Sequence, residues 1–163
     1  MILRVVLEGL VLGALLILLC AIGIRKSPVN MVYLYPLQVQ ERCVELGLTT
    51  RNKIKRGRAI FKTICIPGYI IYTLFCVYAI NDTRGFLAGF WQIAAILFIT
   101  NLIDRFLVDE YWVGRTKAWV IPGTEDLQPY ISLRDKGIKW LFGTVGVAVL
   151  AAILSGIATV FTR

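Results

Sequence analysis

Apolar residues in this chain neither alternate with a strand's period of two nor keep to one face of a helix. They come in long, nearly unbroken blocks. A helix crossing about 30 Å of hydrocarbon at about 1.5 Å per residue needs about 20 mostly apolar residues. Four blocks meet that requirement: residues 5–24, 63–80, 86–103 and 138–161. Glu8 is the only charge in the first, and Lys139 stands at the entry of the fourth. A soluble bundle would give such helices a polar face, and these have none. The pattern predicts one all-α domain over residues 1–163. It is an integral membrane four-helix bundle with two structured connections, at about 25–62 and 104–137. The first block reads as a stop-transfer anchor, because it is long for a signal peptide and Gly23-Ile24-Arg25-Lys26-Ser27-Pro28 follows it without an A-x-A-like site.

Composition agrees with this reading. Hydrophobic residues make up 58% of the chain and charged residues only 17%, against about 25% charged in a typical soluble domain. Histidine is absent, which excludes Ser-His-Asp and Cys-His relays and histidine-ligated haem or zinc. The four cysteines, Cys20, Cys43, Cys65 and Cys76, are isolated, and the lack of a C-x-x-C pair argues against a thiol oxidase. They are expected to remain thiols.

The net charge of +8 is unevenly spread. Arg25, Lys26, Arg42, Arg51, Lys53, Lys55, Arg56 and Arg58 lie in the first connection, and Arg105, Arg115, Lys117, Arg134 and Lys136 in the second. The short turn after the second block has Arg84, and the chain ends have Arg4 and Arg163. The positive-inside rule puts both connections in the cytoplasm and both termini outside. Basic residues Arg51, Lys53, Lys55, Arg56 and Arg58 lie beside a span, where each contributes on the order of 1 kcal/mol of attraction to an anionic leaflet. Anionic lipid head groups are therefore the expected partner of this stretch. The helix–glycine–helix outline around it is no argument for a nucleic-acid partner.

Local signals organise both connections. Ser27-Pro28 breaks the chain after the first span, and Pro36 is placed to begin a helix over LQVQERCVEL. Val39, Cys43 and Leu46 form its apolar stripe, Gly47 a left-handed cap, and Thr49 or Thr50 the start of a basic helix entering the second span. In the second connection, Gly114 marks a turn and Ala118 to Ile121 a short extended piece. Pro122-Gly123 has the order of a type II turn, with Thr124 as a helix cap ahead of Glu125 and Asp126. Trp112, Trp119 and Trp140 read as interfacial anchors.

Two runs carry a resemblance: Tyr35-Pro36 with Val39-Gln40-Glu41-Arg42 and Glu45-Leu46-Gly47-Leu48-Thr49-Thr50, and Ile121-Pro122-Gly123-Thr124-Glu125 preceded by Asp104 and Asp109. They resemble a family of small, functionally uncharacterised four-span integral membrane proteins of Clostridia-like Gram-positive bacteria. The resemblance implies a bacterial plasma membrane and no particular activity.

Candidate chemistry is sparse. Thr100, Asn101 and Asp104 share a face at the end of the third span, with Asp109 and Glu110 beyond them. Asp104, Asp109 and Glu110 are the candidate catalytic carboxylates, joined at most by Glu125 and Asp126, although their spacing matches no metal motif and the D-G-x2-A-R pattern of alcohol phosphotransferases is absent. The competing account pairs these acids with neighbouring Arg and Lys residues. Glu8 is an intramembrane acid, expected to pair with Arg4 four residues before it. Pro67-Gly68 predicts a kink in the second span, followed by a mildly polar stripe of Tyr69, Thr73 and Cys76 able to face Asn101 and Asp104. Gly9 and Gly13, and Ala148, Ala152 and Gly156, form small-residue faces for close packing inside the bundle, in a homo-oligomer or against a membrane partner.

These features favour a non-enzymatic membrane protein: an accessory subunit, a transport component or a lipid-interacting scaffold, with no metal or other cofactor. Two other readings stay open. One is a membrane-embedded enzyme acting on a lipid or prenyl substrate through Asp104, Asp109 and Glu110. The other is a small proton-coupled exporter using Glu8.

Overall fold

A computed structural model describes residues 1–161, so Arg163 lies outside the described residues. The described chain is helical without a strand, and four of its helices are long and apolar enough to cross a membrane. These are α1 (Ile2–Ile24), α3 (Arg51–Ile80), α4 (Phe86–Val113) and α5 (Leu133–Phe161); a short helix, α2 (Leu37–Glu45), lies in the first connection. The last three long helices have 30, 28 and 29 residues. Each runs well past its apolar block at the end that carries the two connections. The basic stretch from Arg51 extends α3, as the Thr50 cap and the entering basic helix predict, whereas the continuation of α4 to Val113 makes the second connection shorter than the sequence pattern suggests.

Wide π-type turns interrupt the long helices at Phe61–Cys65, Phe75–Ile80, Asp104–Val113 and Phe142–Gly146. The first has a local cause. Pro67 has no N–H to donate and its ring crowds the preceding turn, so the helix widens just before it. Threonine hydroxyls inside the helices are satisfied locally. Thr73, Thr100, Thr144 and Thr159 each donate to the carbonyl four residues earlier, at 2.8–2.9 Å. In hydrocarbon no water would be available to do this.

α4 is the central helix, packing against α1 along one side, α5 along another and α3 near their shared turn. Glycine permits the closest approach. An added Cβ at Gly9 would lie 2.9 Å from Ile99 Cβ, and Gly13 meets Ile103 in the same way. These two glycines are thus spent on packing within the chain. Asn101 fills the space beside Gly143 of α5. Val5, Leu12, Cys76, Val77, Ile93, Ile96 and Ala151 form the core between the helices. The outward faces are apolar too, with Leu18, Ile22, Ile71, Phe75, Val149, Ile153 and Ile157 all exposed. An apolar surface this continuous is abnormal for a protein surrounded by water.

A second core occupies the basic end. It gathers Cys20 from α1, Met31, Val32 and Tyr35 from the segment before α2, Val39 and Cys43 from α2, Ile54 from α3, Val108 from α4, and Trp119, Ile121 and Tyr130 from the second connection. Local chemistry sets the path of the chain here. Gly47 is left-handed at φ +70°, and the Leu48 amide donates back to the Cys43 carbonyl at 3.0 Å. Thr50 Oγ1 then accepts from the Lys53 amide and starts α3. Pro122-Gly123 makes the expected turn, with Gly123 at φ +84° and the Thr124 amide donating to the Ile121 carbonyl at 3.1 Å. Other expectations need correcting. Thr124 donates its hydroxyl to the Ile121 carbonyl and does not cap a helix through its side chain; only a 3-10 turn, Glu125–Leu127, follows it. A 3-10 turn, Lys117–Trp119, replaces the extended piece, and Gly114 is helical at the end of α4. Leu46 leaves the apolar stripe of α2 and is half exposed, lying against Gly123.

The packing at Gly9 yields a contrast. Gly9→Ala should destabilise the fold by about 1–3 kcal/mol through overpacking against Ile99. Gly156→Ala, where nothing lies within 4 Å of the added Cβ, should be neutral or gain up to about 1 kcal/mol of helix propensity. Thermal unfolding of the two variants in the same detergent measures the difference.

Candidate functional site

The two connections are stitched together over the ends of the helices. Tyr35, from the first, donates its hydroxyl to the Trp119 carbonyl of the second at 2.6 Å and lies edge-on to Tyr130, ring centres 5.2 Å apart. Tyr130 shares a 2.8 Å hydrogen bond with Thr124, whose own carbonyl-bound hydroxyl holds the Pro122-Gly123 turn. Trp112 and Trp119 meet at right angles, centres 5.6 Å apart. Trp119 is only 3% exposed, so it is a core residue of this end and no interfacial anchor. Gln40 adds a second fastening: its Nε2 donates to the Tyr35 carbonyl at 2.6 Å and its Oε1 accepts from Arg58 at 2.8 Å. Arg58 is thereby partly committed. Arg51, Lys53, Lys55 and Arg56 stay exposed around Ile54, the one buried side chain of that stretch.

Beneath this roof is a partly enclosed cavity of about 520 Å³. α1 contributes Leu16, Leu19 and Cys20, α3 contributes Phe61, Cys65 and Tyr69, and Tyr33, Tyr35, Trp119 and Tyr130 close it from the connections. Most of its lining is apolar. One wall is charged: Asp104 and Asp109 of α4 and Lys139 of α5. Arg105 lies between the two aspartates and donates to Oδ2 of each, and Lys139 Nζ donates to both oxygens of Asp109 at 3.0 Å. Arg105 and Asp109 side chains are only 13% and 12% exposed, whereas Lys139 is 39% exposed, so the ion-pair cluster is buried at Asp109 and reaches solvent at Lys139.

The candidate carboxylates therefore occupy different places. Asp104 and Asp109 line the cavity together. Glu110 faces a separate hollow of about 130 Å³ and pairs with Lys136 at 2.6 Å. Asp126 pairs with Arg42 at 3.3 Å, and Glu125 accepts from the Gly123 amide at 2.8 Å. Among the described residues no group of three or more His, Cys, Asp or Glu is placed to hold a metal ion. Of the polar face expected on α4, Thr100 donates to the Gly9 carbonyl of α1, Asn101 lies against α5, and only Asp104 enters the cavity. Of the Tyr69, Thr73 and Cys76 stripe, only Tyr69 reaches the cavity. Lys139, which reads in the sequence as a mere span-entry charge, closes the ion-pair cluster from thirty residues away, and no local pattern signals that.

Glu8 belongs to the opposite end. Arg4 does not pair with it, turning instead to the Ile80 carbonyl and Asn81 Oδ1 at 3.5 and 3.4 Å. Asn81 Nδ2 donates to Glu8 Oε2 and to Gln92 Oε1, each at 3.0 Å, and Gln92 Nε2 donates to Thr83 at 2.8 Å. This buried network locks the α3–α4 turn onto α1. All four cysteines are free thiols.

Comparisons with protein-family models, with curated proteins and with solved structures give no match for this chain.

Two predictions follow from the site. Burial, reinforced by Tyr130, raises the Tyr35 phenol above its ordinary value near 10. The folded state favours the neutral phenol, so this stabilisation is complete below pH 10 and declines as pH rises beyond it. Tyr35→Phe should lose about 1–3 kcal/mol at neutral pH, the Trp119 carbonyl being left without its donor, and should show a shallower loss of stability above pH 10 in thermal melts. Arg105→Met leaves two aspartates without their shared guanidinium and should cost about 3–5 kcal/mol, measured by denaturant unfolding in detergent.

Proposed function

We propose that this chain is a multi-pass protein of a bacterial plasma membrane that holds a lipid-like amphiphile and performs no catalysis of its own. In this reading its four long helices form a membrane bundle, with the basic end in the cytoplasm and both termini outside. The carrying observation is the cavity itself. It lies where the helices pass from apolar to charged sequence, and it combines apolar walls with one strip of ion pairs. That is the division an amphiphile needs, with its tail against Leu16, Leu19 and Phe61 and its polar end toward Asp104 and Lys139. The volume of about 520 Å³ falls within the range of about 300–1,000 Å³ common for small-molecule sites. The exposed basic residues Arg51, Lys53, Lys55 and Arg56 support anionic head groups at the surrounding leaflet. A homo-oligomer or membrane partner is expected on the Ala148, Ala152 and Gly156 face of α5, where the space beside Gly156 is open.

A second reading draws on the same wall. Asp104 and Asp109 border the cavity, which places them to act on a lipid or prenyl substrate. Both Asp109 oxygens are already engaged by Lys139 and Arg105, which leaves Asp104 as the freer group and favours binding over chemistry.

Native mass spectrometry of the protein released from mild detergent should show a co-purifying amphiphile. Leu16→Trp, which fills the cavity, should remove at least about 90% of it. Wild type that carries none, when purified without delipidation, contradicts the reading. Asp104→Asn and Asp109→Asn should leave the membrane lipid profile of the host unchanged; an accumulated lipid intermediate would favour the enzyme instead.

A further inference from the structure

The charged wall of the cavity also states which polar end it accepts. The molecule as a whole is strongly basic, at +8, yet this wall is not. Two carboxylates, Asp104 and Asp109, face one guanidinium, Arg105, and one ammonium, Lys139, and the four are joined by ion pairs. Asp135 also borders the cavity, but at its exposed edge, where water screens its charge and the backbone and hydroxyl of Ser132 hold its Oδ2. An ionised head group brought here would meet a balanced set and retain its full desolvation cost.

What the wall does offer is unmatched hydrogen-bonding capacity. Asp104 Oδ2 accepts from Arg105, while its Oδ1 has no donor among the described residues. Tyr69 and Trp119 line the same cavity, and neither the Tyr69 hydroxyl nor the Trp119 indole N–H has a partner. Trp119 is 3% exposed, so water does not supply an acceptor from outside. An unsatisfied buried donor is costly, and here two such donors belong to side chains that line the void bordered by Asp104. A hydroxyl group is the smallest uncharged head that both donates to a carboxylate and accepts from an N–H or O–H.

We propose, building on the amphiphile-binding reading above, that the cavity selects a neutral, hydroxyl-headed amphiphile of the monoacylglycerol or prenyl-alcohol type over charged amphiphiles of similar length. The hydroxyl donates to Asp104 and accepts from the Tyr69 or Trp119 side, small adjustments of those two rings bringing their donors to bear. The apolar chain lies along Leu16, Leu19 and Phe61.

Competition binding to the full chain in detergent at pH 7 tests this, with native mass spectrometry as the readout. The probes are monooleoylglycerol, farnesol, oleate and oleylamine. Wild type should bind the two hydroxyl probes at least about tenfold more tightly than oleate or oleylamine. Variants should redirect the preference, which an unfolded protein cannot do. Asp104→Asn removes a negative charge and should shift relative affinity toward oleate by about tenfold; Lys139→Gln should shift it toward oleylamine to a similar degree. If wild type binds oleate or oleylamine as tightly as monooleoylglycerol, or if both variants keep the wild-type order, the head-group assignment is overturned while amphiphile binding stands. If wild type binds none of the four, the amphiphile-binding reading falls with it.

Discussion

A buried hydrogen bond, from the Tyr35 phenol to the Trp119 carbonyl, joins the two halves of the basic end, which the exposed Arg42–Asp126 pair also links. Its partners are 84 residues apart and belong to different connections. Without it, residues between α1 and α3 would meet those between α4 and α5 through apolar packing and the exposed Arg42 contacts to Asp126 and Gly123. With it they bury Met31, Val39, Ile121 and Tyr130 in a shared core and roof the cavity. A phenol suits the position because its ring fills the core while its hydroxyl meets a backbone carbonyl that has no helix to satisfy it. The neighbouring contacts of Gln40, Arg58 and Thr124 act on the same join from either side.

α4 supplies the other half of the account. Within the helices it approaches α1 through the glycines at positions 9 and 13, which let the two backbones come close. Further along, the same helix carries Asp104, Arg105 and Asp109 into the cavity wall. Charges placed that deep persist only when paired, and the pairing is complete within α4 and Lys139. The result is a protein that is basic outside and balanced inside. In the proposed reading its surface suits an anionic leaflet and its interior an uncharged polar end.

Much of this was legible from sequence because it is local. The apolar blocks predicted the four long helices, α1 to within a few residues of its start. Gly47, Thr50 and Pro122-Gly123 announced their caps and turn through backbone chemistry that depends on the residue itself. Thr50 also announced the basic helix that extends α3, whereas the extension of α4 was harder to see, since Asp104 to Val113 is too polar to show an apolar period. Trp119 was misjudged for a physical reason: indole suits both a membrane interface and a core, and only its neighbours decide. The pairing of Lys139 with Asp109 and the turn of Arg4 toward Asn81 depend on helix packing, which no spacing rule reaches. Of the acidic patch, only Asp104 and Asp109 share the cavity, because Glu110 falls on another face of the same helix.

The most direct measurement is an experimental density map of the protein in nanodiscs made from native membrane lipids. The account predicts an elongated density beneath Tyr35 and Trp119, its polar end within hydrogen-bonding distance of Asp104 and its tail along Leu16 and Phe61. A cavity that is collapsed, or holds only discrete waters along its apolar walls, would contradict it.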